Sequence, residues 1–227
     1  MSFQIFVDES KAAGFLLAAA AVPCSEVDRL RVAIGALHLR HQVRIHFRRE
    51  QTARQRKILE MLTTVGGISA VIYDATRFND HKAGRNAAIS RLADDAARMQ
   101  ASRIVLESDD SVVEQDRLII TKRLKQAKLD DVIGVDHCRA SGERLLAIPD
   151  AVAWCYAKGG AWRRDVMPLV KEIIELLGAQ DVRSPAHLPS DRLPGSTSRG
   201  GAARTSIMYR GFLQCQPMLF LPVSHLP

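Results

Sequence analysis

Two apolar segments near the amino terminus restrict most strongly what this chain can fold into. Residues 3–8 (FQIFVD) are rich in β-branched and aromatic side chains and end at polar residues, and residues 13–22 (AGFLLAAAAV) form a continuous apolar run. Runs of this kind fit strands that are buried on both faces of a sheet. We therefore expect the two segments to pair as antiparallel strands near the middle of a sheet.

The second apolar run also has to be weighed as an export signal or a membrane span. It is shorter than the roughly 20 residues that cross a bilayer, and Asp8 and Glu9 precede it, where an export signal carries positive charge. The four cysteines lie far apart with no C-x-x-C pair, which is typical of reduced thiols rather than of a zinc module or a disulfide framework. We expect a cytoplasmic protein that does not associate with a membrane.

Further along the chain, strand patterns alternate with helical ones. Strands are predicted at residues 68–75, 103–107 and 133–138, and helices at 25–37, 52–65, 86–100, 111–128, 148–156 and 166–177. This order predicts an α/β fold with a mixed five-stranded sheet flanked by helices. The fourth strand should lie beside the first, on the side opposite the second.

The composition changes after residue 180. Six of the nine prolines lie in residues 181–227, together with runs of glycine and serine. Such a stretch gains too little from burial to offset the entropy of ordering it. The sequence predicts one domain over residues 1–180 and a tail or loosely docked extension over residues 181–227.

Charge and missing motifs narrow the class of function. The formal net charge is +7 at pH 7, which favours a polyanionic partner. The sequence contains no G-x-G-x-x-G, G-x-x-x-x-G-K-[ST] or G-x-S-x-G motif, which argues against dehydrogenases, P-loop enzymes and serine hydrolases.

Acidic residues at the predicted strand ends are the main candidates for chemistry. Asp8 closes the first strand and is followed by Glu9, while Glu107 closes the fourth and is followed by Asp110 after two residues. If these strands are neighbours, Asp8 and Glu107 lie close together, and Asp150 in the first turn of a helix could complete the cluster. Clustered carboxylates select Mg²⁺ or Mn²⁺, and a pair of such ions catalyses phosphodiester hydrolysis.

Each candidate also fits a purely structural role. Asp8 could cap a turn, and Asp150 suits the N-terminal end of a helix dipole. His46 lies between two apolar residues, as a partly buried histidine does. The segment 154–164 (WCYAKGGAWRR) could bind bases and phosphates or belong to the core, and Arg48 and Arg49 could simply form a solvated face.

Taken together, several short segments resemble a widespread bacterial family of RNase H-like proteins. The family signatures are an Asp-Glu-Ser-Gly strand, a Glu-x-His-x element and a late Leu-Gln-x-Ala-Asp helix. The matching segments, within about residues 1–178, are Asp8-Glu9-Ser10, Ile45-His46-Phe47, Glu107-Ser108, His137 and residues 145–154. The chain departs from the family pattern at four positions, which are Lys11 for Gly, Arg44 for Glu, Ala147 for Gln and Pro149 for Ala.

The resemblance implies an RNase H-like fold and a metal-dependent nuclease using Mg²⁺ or Mn²⁺. Asp8 would then bridge two ions, Glu107 and Asp150 would each hold one, and Glu9 and Asp110 are further possible ligands. His46 or His137 would assist proton transfer to the leaving oxygen.

The substrate of such a nuclease would be DNA, RNA or a hybrid. The expected nucleic-acid contacts are Arg48, Arg49, Lys158, Arg163 and Arg164. The alternative is a non-catalytic RNase H-like module that binds nucleic acid or a protein through its basic surface.

Overall fold

A computed structural model describes residues 2–12 and 14–178 of the protein. Within that part, one six-stranded sheet has the order β5-β4-β1-β2-β3-β6. The strands are β1 (Phe3–Ser10), β2 (Phe15–Pro23), β3 (Ser69–Ala75), β4 (Arg103–Glu107), β5 (Gly134–Cys138) and β6 (Val170–Glu175). β2 runs antiparallel to β1 and β3, and the other neighbouring pairs are parallel.

The helices cover both faces of the sheet. They are α1 (Val27–Gly35), α2 (Thr52–Thr64), α3 (His81–Arg98), α4 (Val113–Ala127), α5 (Ala147–Lys158) and α6 (Gly160–Val166). One apolar core lies between the sheet and α1, α2, α5 and α6, and a second lies between the sheet and α3 and α4. None of the described helices is both long enough and apolar enough to cross a bilayer.

The central strand β2 supplies side chains to both cores. Leu16, Ala18 and Ala20 belong to the core under α5, and Leu17 and Ala19 belong to the core under α3. Side chains alternate between the faces along a strand, so a strand buried on both faces must be apolar throughout. Because the alanines are small, α5 packs directly across β1 and β2.

The structure confirms the predicted topology around the first strand. β1 and β2 pair antiparallel from Phe3 with Pro23 to Ser10 with Leu16. On the other side of β1, β4 pairs parallel, from Gln4 with Arg103 to Val7 with Leu106. The predicted α/β class, a mixed sheet flanked by helices, is therefore confirmed.

The carboxyl-terminal end of the described region differs from the prediction. The predicted helix over residues 166–177 is wrong, since α6 ends at Val166 and residues 170–175 form β6. The sheet therefore has six strands instead of five. Pro168 lacks a backbone N–H donor and interrupts the helix, and β6 then pairs with β3, which would otherwise be an open edge. The predicted tail, residues 181–227, lies outside the described residues.

Candidate functional site

Asp8 and Glu107 lie together at the carboxyl ends of two neighbouring parallel strands. The parallel register ends with Val7 paired with Leu106, and Asp8 and Glu107 are the next residue of each strand. Both side chains point to the face of the sheet that carries Phe6 and Val105, under α5. They are close enough for the negative charge of Glu107 to act on the carboxyl group of Asp8.

Asp150 lies in the first turn of α5, close enough for its negative charge to act on Asp8. Its Oδ2 accepts a hydrogen bond of 2.8 Å from the backbone N–H of Phe47 and lies 3.3 Å from Nδ1 of His46. The buried ring of Phe47 and a 2.7 Å hydrogen bond from Gln55 Nε2 to its carbonyl hold this loop in place. Asp150 is thereby fixed in position beside His46.

The electrostatics of the cluster are most visible at Asp8. Burial raises the pKa of its carboxyl well above the usual value, and the negative charges of Glu107 and Asp150 raise it further. The protonated form of Asp8 is also favoured because it can donate a hydrogen bond to Glu107, whereas the positive charge of Arg44 lowers the pKa. Asp8 is therefore a carboxyl group whose ionisation is disfavoured until a cation compensates the neighbouring charge.

Arg44 is a residue of this site that the sequence did not single out as functional. Its Nη1 forms an ion pair with Oε1 of Glu107. The loop that carries Arg44 leads directly into His46 and Phe47, so the three residues reach the carboxylates together. The sequence marks this position through the resemblance described above, since Arg44 stands where the family pattern has Glu.

A groove with a volume of about 510 Å³ opens beside Asp150. Its wall combines acidic, basic and aromatic side chains, among them Asp150, His46, Lys11, Arg48, Lys158 and Trp154. The Trp154 ring lies 5.3 Å from that of Phe47 and 5.2 Å from that of Trp162, measured between centroids. The groove thus places positive charge and an aromatic wall next to the carboxylates.

The predicted nucleic-acid contacts are only partly brought together. Arg48 and Lys158 line the groove, and Arg49 is exposed on the short turn Phe47–Arg49. Arg163 instead stacks on the ring of Tyr156, with its guanidinium carbon 3.7 Å from the centroid. Arg164 is 78% exposed and lies 3.6 Å from the carboxylate of Asp165.

His137 does not join the carboxylate cluster. It pairs with Leu106 in the β4–β5 register, so it faces the core under α3 and α4, away from Glu107. Its side chain is 3% exposed, with Nε2 3.6 Å from Oδ2 of Asp116.

Arg85 connects this second face to Glu9. Its guanidinium donates two hydrogen bonds to the fully buried carboxylate of Asp116, at 3.0 and 2.7 Å. The same guanidinium forms an ion pair with Glu9, whose other oxygen lies 2.7 Å from Lys11 Nζ. Glu9 is therefore ion-paired with two cationic side chains, Arg85 and Lys11, and it also lines the groove.

Asp110 lies on the turn after β4 and is exposed. It lines a second, shallower depression together with Arg44, Glu107 and Arg139. Asp110 is thus next to the cluster, on its outer side.

The carboxylate oxygens of the cluster are ligands that a hard cation prefers, although they do not form a complete coordination shell. In the part of the chain that the structure describes, no group of three or more His, Cys, Asp or Glu side chains is arranged to hold a metal ion. Glu107 is engaged by Arg44, and Asp150 by His46 and Phe47. Magnesium is usually bound through one or two carboxylates, waters and substrate phosphates, and this donor set fits that mode.

Similarity to known proteins is found among solved structures. No protein-family model matches the chain, and no curated protein matches it. Among solved structures, it is similar to a chain in the structure of the PCNA:RNase HII complex from Archaeoglobus fulgidus, with a TM-score of 0.46 and 15% sequence identity. The likeness covers 68% of this chain and 71% of the other.

Proposed function

We propose that the protein is a divalent-metal-dependent phosphodiesterase that cleaves DNA or RNA. The observation that carries this proposal is that Asp8 and Glu107 lie near the ends of adjacent parallel strands, where the charges of Glu107 and Asp150 both raise the pKa of the buried Asp8. Carboxylates crowded in this way lower the stability of the folded chain unless a cation neutralises them. A groove with basic side chains lies beside them, as a polyanionic substrate requires.

Asp8 is the central ligand in this proposal, with Asp150 and Glu107 as its partners. A bound Mg²⁺ or Mn²⁺ supplies Lewis-acid polarisation of the phosphate and lowers the pKa of a bound water. Asp150 is oriented for this role by the backbone N–H of Phe47, which fixes one of its oxygens. The other oxygen of Asp150 remains for the ion.

His46 is the proposed proton-transfer group. Its Nδ1 lies 3.3 Å from Asp150, and about one third of its side chain, 31%, is exposed toward the groove. A histidine that is oriented by a carboxylate and reaches solvent can donate a proton to a leaving oxygen. His137 faces the other core, so we assign this role to His46 alone.

The groove is the proposed binding site of the nucleic acid. Lys11, Arg48 and Lys158 line it and would pair with phosphates, and Trp154 offers an aromatic surface for a base. The net charge of +7 adds long-range attraction for a polyanion.

The test is a cleavage assay on single-stranded, double-stranded and hybrid substrates with Mg²⁺, Mn²⁺ or EDTA. We expect metal-dependent cleavage that falls by about a thousandfold or more in Asp8→Asn and Asp150→Asn, as the loss of several kcal/mol of transition-state stabilisation implies. Asp94→Asn is the matched control, because Asp94 forms only a surface pair of 3.7 Å with Arg123. Cleavage that persists in Asp8→Asn would contradict the proposal.

A non-catalytic module that binds nucleic acid or protein is the second candidate. The ion pair between Arg44 and Glu107 favours it, because this pair already neutralises one of the three carboxylates. Salt-dependent binding without cleavage, and a melting temperature that Mg²⁺ and Mn²⁺ leave unchanged, would support this second function.

A further inference from the structure

The carboxylate cluster contains one permanent positive charge of its own. Arg44 Nη1 pairs with Oε1 of Glu107, and its charge also acts on Asp8. A guanidinium remains protonated at any physiological pH, so this charge is fixed. Both partners of the pair are partly buried, with side-chain exposures of 38% for Arg44 and 25% for Glu107.

The three carboxylates are therefore not equivalent toward a metal ion. Glu107 has an oxygen covered by a guanidinium, which a cation would have to displace. Asp150 is instead contacted by the Phe47 N–H and the His46 ring. Asp8 accepts a 2.7 Å hydrogen bond from the N–H of Glu9 and faces both of the other acids.

A second ion near Glu107 would also be repelled by the guanidinium. With a single divalent ion, that ion and the Arg44 guanidinium bring a total charge of +3 to a site with three carboxylates. The guanidinium is covalently attached to the chain. The attached cation has the advantage, since it loses no translational freedom when it occupies the site.

We propose that Arg44 occupies the place of a second metal ion, so that the site binds one divalent ion, through Asp8 and Asp150, and uses the guanidinium as its second positive charge. This inference rests on the proposed function and specifies its metal stoichiometry. Arg44 is then also available to the phosphate of the substrate, because it lines an open depression together with Arg139 and Asp110.

The test counts bound ions on the full-length protein. Mn²⁺ is titrated into the wild type, and free Mn²⁺ is measured by electron paramagnetic resonance, with calorimetry as a second measurement. We expect one ion per chain in the wild type and two in Arg44→Gln, because Glu107 is then free to bind. Arg44→Lys retains a charge at this position and should remain at one.

Two further variants separate a local effect from a general one. Arg139→Gln removes an arginine from the same depression and should leave the count at one. Glu107→Gln should also still bind one ion, with a dissociation constant within about threefold of the wild type, because Asp8 and Asp150 hold it. Circular dichroism and a cooperative melt establish that each variant is folded.

The outcomes distinguish this inference from the function on which it rests. Two ions in the wild type, an unchanged count of one in folded Arg44→Gln, or loss of binding in Glu107→Gln would each overturn the role of Arg44 and leave the nuclease proposal standing. If no variant and no wild-type protein binds Mn²⁺, the metal-dependent function itself fails, and this inference fails with it.

Discussion

Asp8 and Glu107 lie near the ends of two adjacent parallel strands. Burial raises the pKa of Asp8 well above its usual value, and the negative charge of Glu107 raises it further. The folded metal-free protein therefore binds a proton at pH values where the unfolded chain has released it. This difference links the stability of the fold to pH and to cation binding.

The first prediction concerns Asp8→Asn without metal. The folded pKa of Asp8 is raised above its usual 3.8, so the free energy of unfolding decreases as pH rises from about 3.9 through the folded pKa. Asparagine has no such cost. The variant should melt a few degrees higher than the wild type at pH 7, since about 1 kcal/mol corresponds to about 2–4 °C in a chain of this size.

The difference between Asp8→Asn and the wild type should disappear below about pH 3, where Asp8 is protonated in both the folded and the unfolded state. Asp94→Asn serves as the control and should change the melting temperature little at either pH, because its ion pair is on the surface. A variant that melts lower than the wild type at pH 7 would show that Asp8 stabilises the metal-free fold.

The second prediction concerns His46→Ala. Asp150 keeps its 2.8 Å hydrogen bond from Phe47, so the fold should be retained. Loss of a proton-transfer group typically lowers kcat by about 10²–10⁴-fold, and KM should change little. The pH profile of kcat/KM should also lose one limb, which a purely structural role would not produce.

His38→Ala is the matched control for His46→Ala. His38 follows α1, and its Nδ1 lies 3.2 Å from the carbonyl of Ile34. This variant should keep the full rate and pH profile. An unchanged profile in His46→Ala would assign proton transfer to another group.

The third prediction concerns the buried ion pair between Arg85 and Asp116, on the face of the sheet that α3 and α4 cover. Burial alone would raise the pKa of Asp116, but the neighbouring His137 and Arg85 hold it below its usual value. Arg85→Ala leaves Asp116 buried without its bidentate partner, and breaking such a pair costs about 3–5 kcal/mol of unfolding free energy. Urea denaturation at pH 7 measures this loss.

The sign of the pH dependence follows from the lowered pKa. The stabilisation by Asp116 is present above its unfolded pKa and is lost as pH falls through the folded pKa, so the effect of Arg85→Ala should shrink in acid. Arg77→Ala is the control, since Arg77 pairs with Glu175 on the surface at 3.2 Å and should cost less than about 1 kcal/mol. Equal losses in the two variants would contradict this account.

The fourth prediction concerns the groove. If Arg48 and Lys158 contact phosphates, Arg48→Gln and Lys158→Gln should each weaken binding of any sequence and reduce the slope of log K against log salt by about 1. Arg117→Gln, on the exposed side of α4, should leave the slope unchanged. Fluorescence anisotropy with a labelled oligonucleotide measures the slope, and equal slopes in all three variants would place the binding surface elsewhere.

Much of the sheet could be predicted from the sequence because its central strands have an unambiguous pattern. The continuous apolar run of β2 requires burial on both faces, and the acidic ends of β1 and β4 mark where those strands stop. The β6 segment has no such signature. The spacing of its apolar residues fits a helix as well as an edge strand, and in the structure Ile174 is its one buried residue. The segment forms a strand because it pairs with the edge of β3, which is a tertiary contact.

At the site, the main feature that the sequence left undetermined was the face of the sheet on which each side chain lies. His137 and Cys138 are adjacent, and a shift of one residue in the register of β5 would exchange their faces. The register of β5 cannot be read from the sequence. The sequence therefore did not show that His137 lies on the opposite face of the sheet from Asp8 and Glu107. Nor could it show that Arg44, 63 residues from Glu107 along the chain, would form a pair with it.

Ala18 has a consequence for the site although it carries no chemistry. It is paired with Asp8 across the β1–β2 register and is fully buried beneath α5, the helix that carries Asp150. A valine there would add two methyl groups to a filled space, and such overpacking displaces neighbouring elements. Position 18 is therefore a place where side-chain volume alone can tune the separation of Asp8 from Asp150, with every carboxylate left intact.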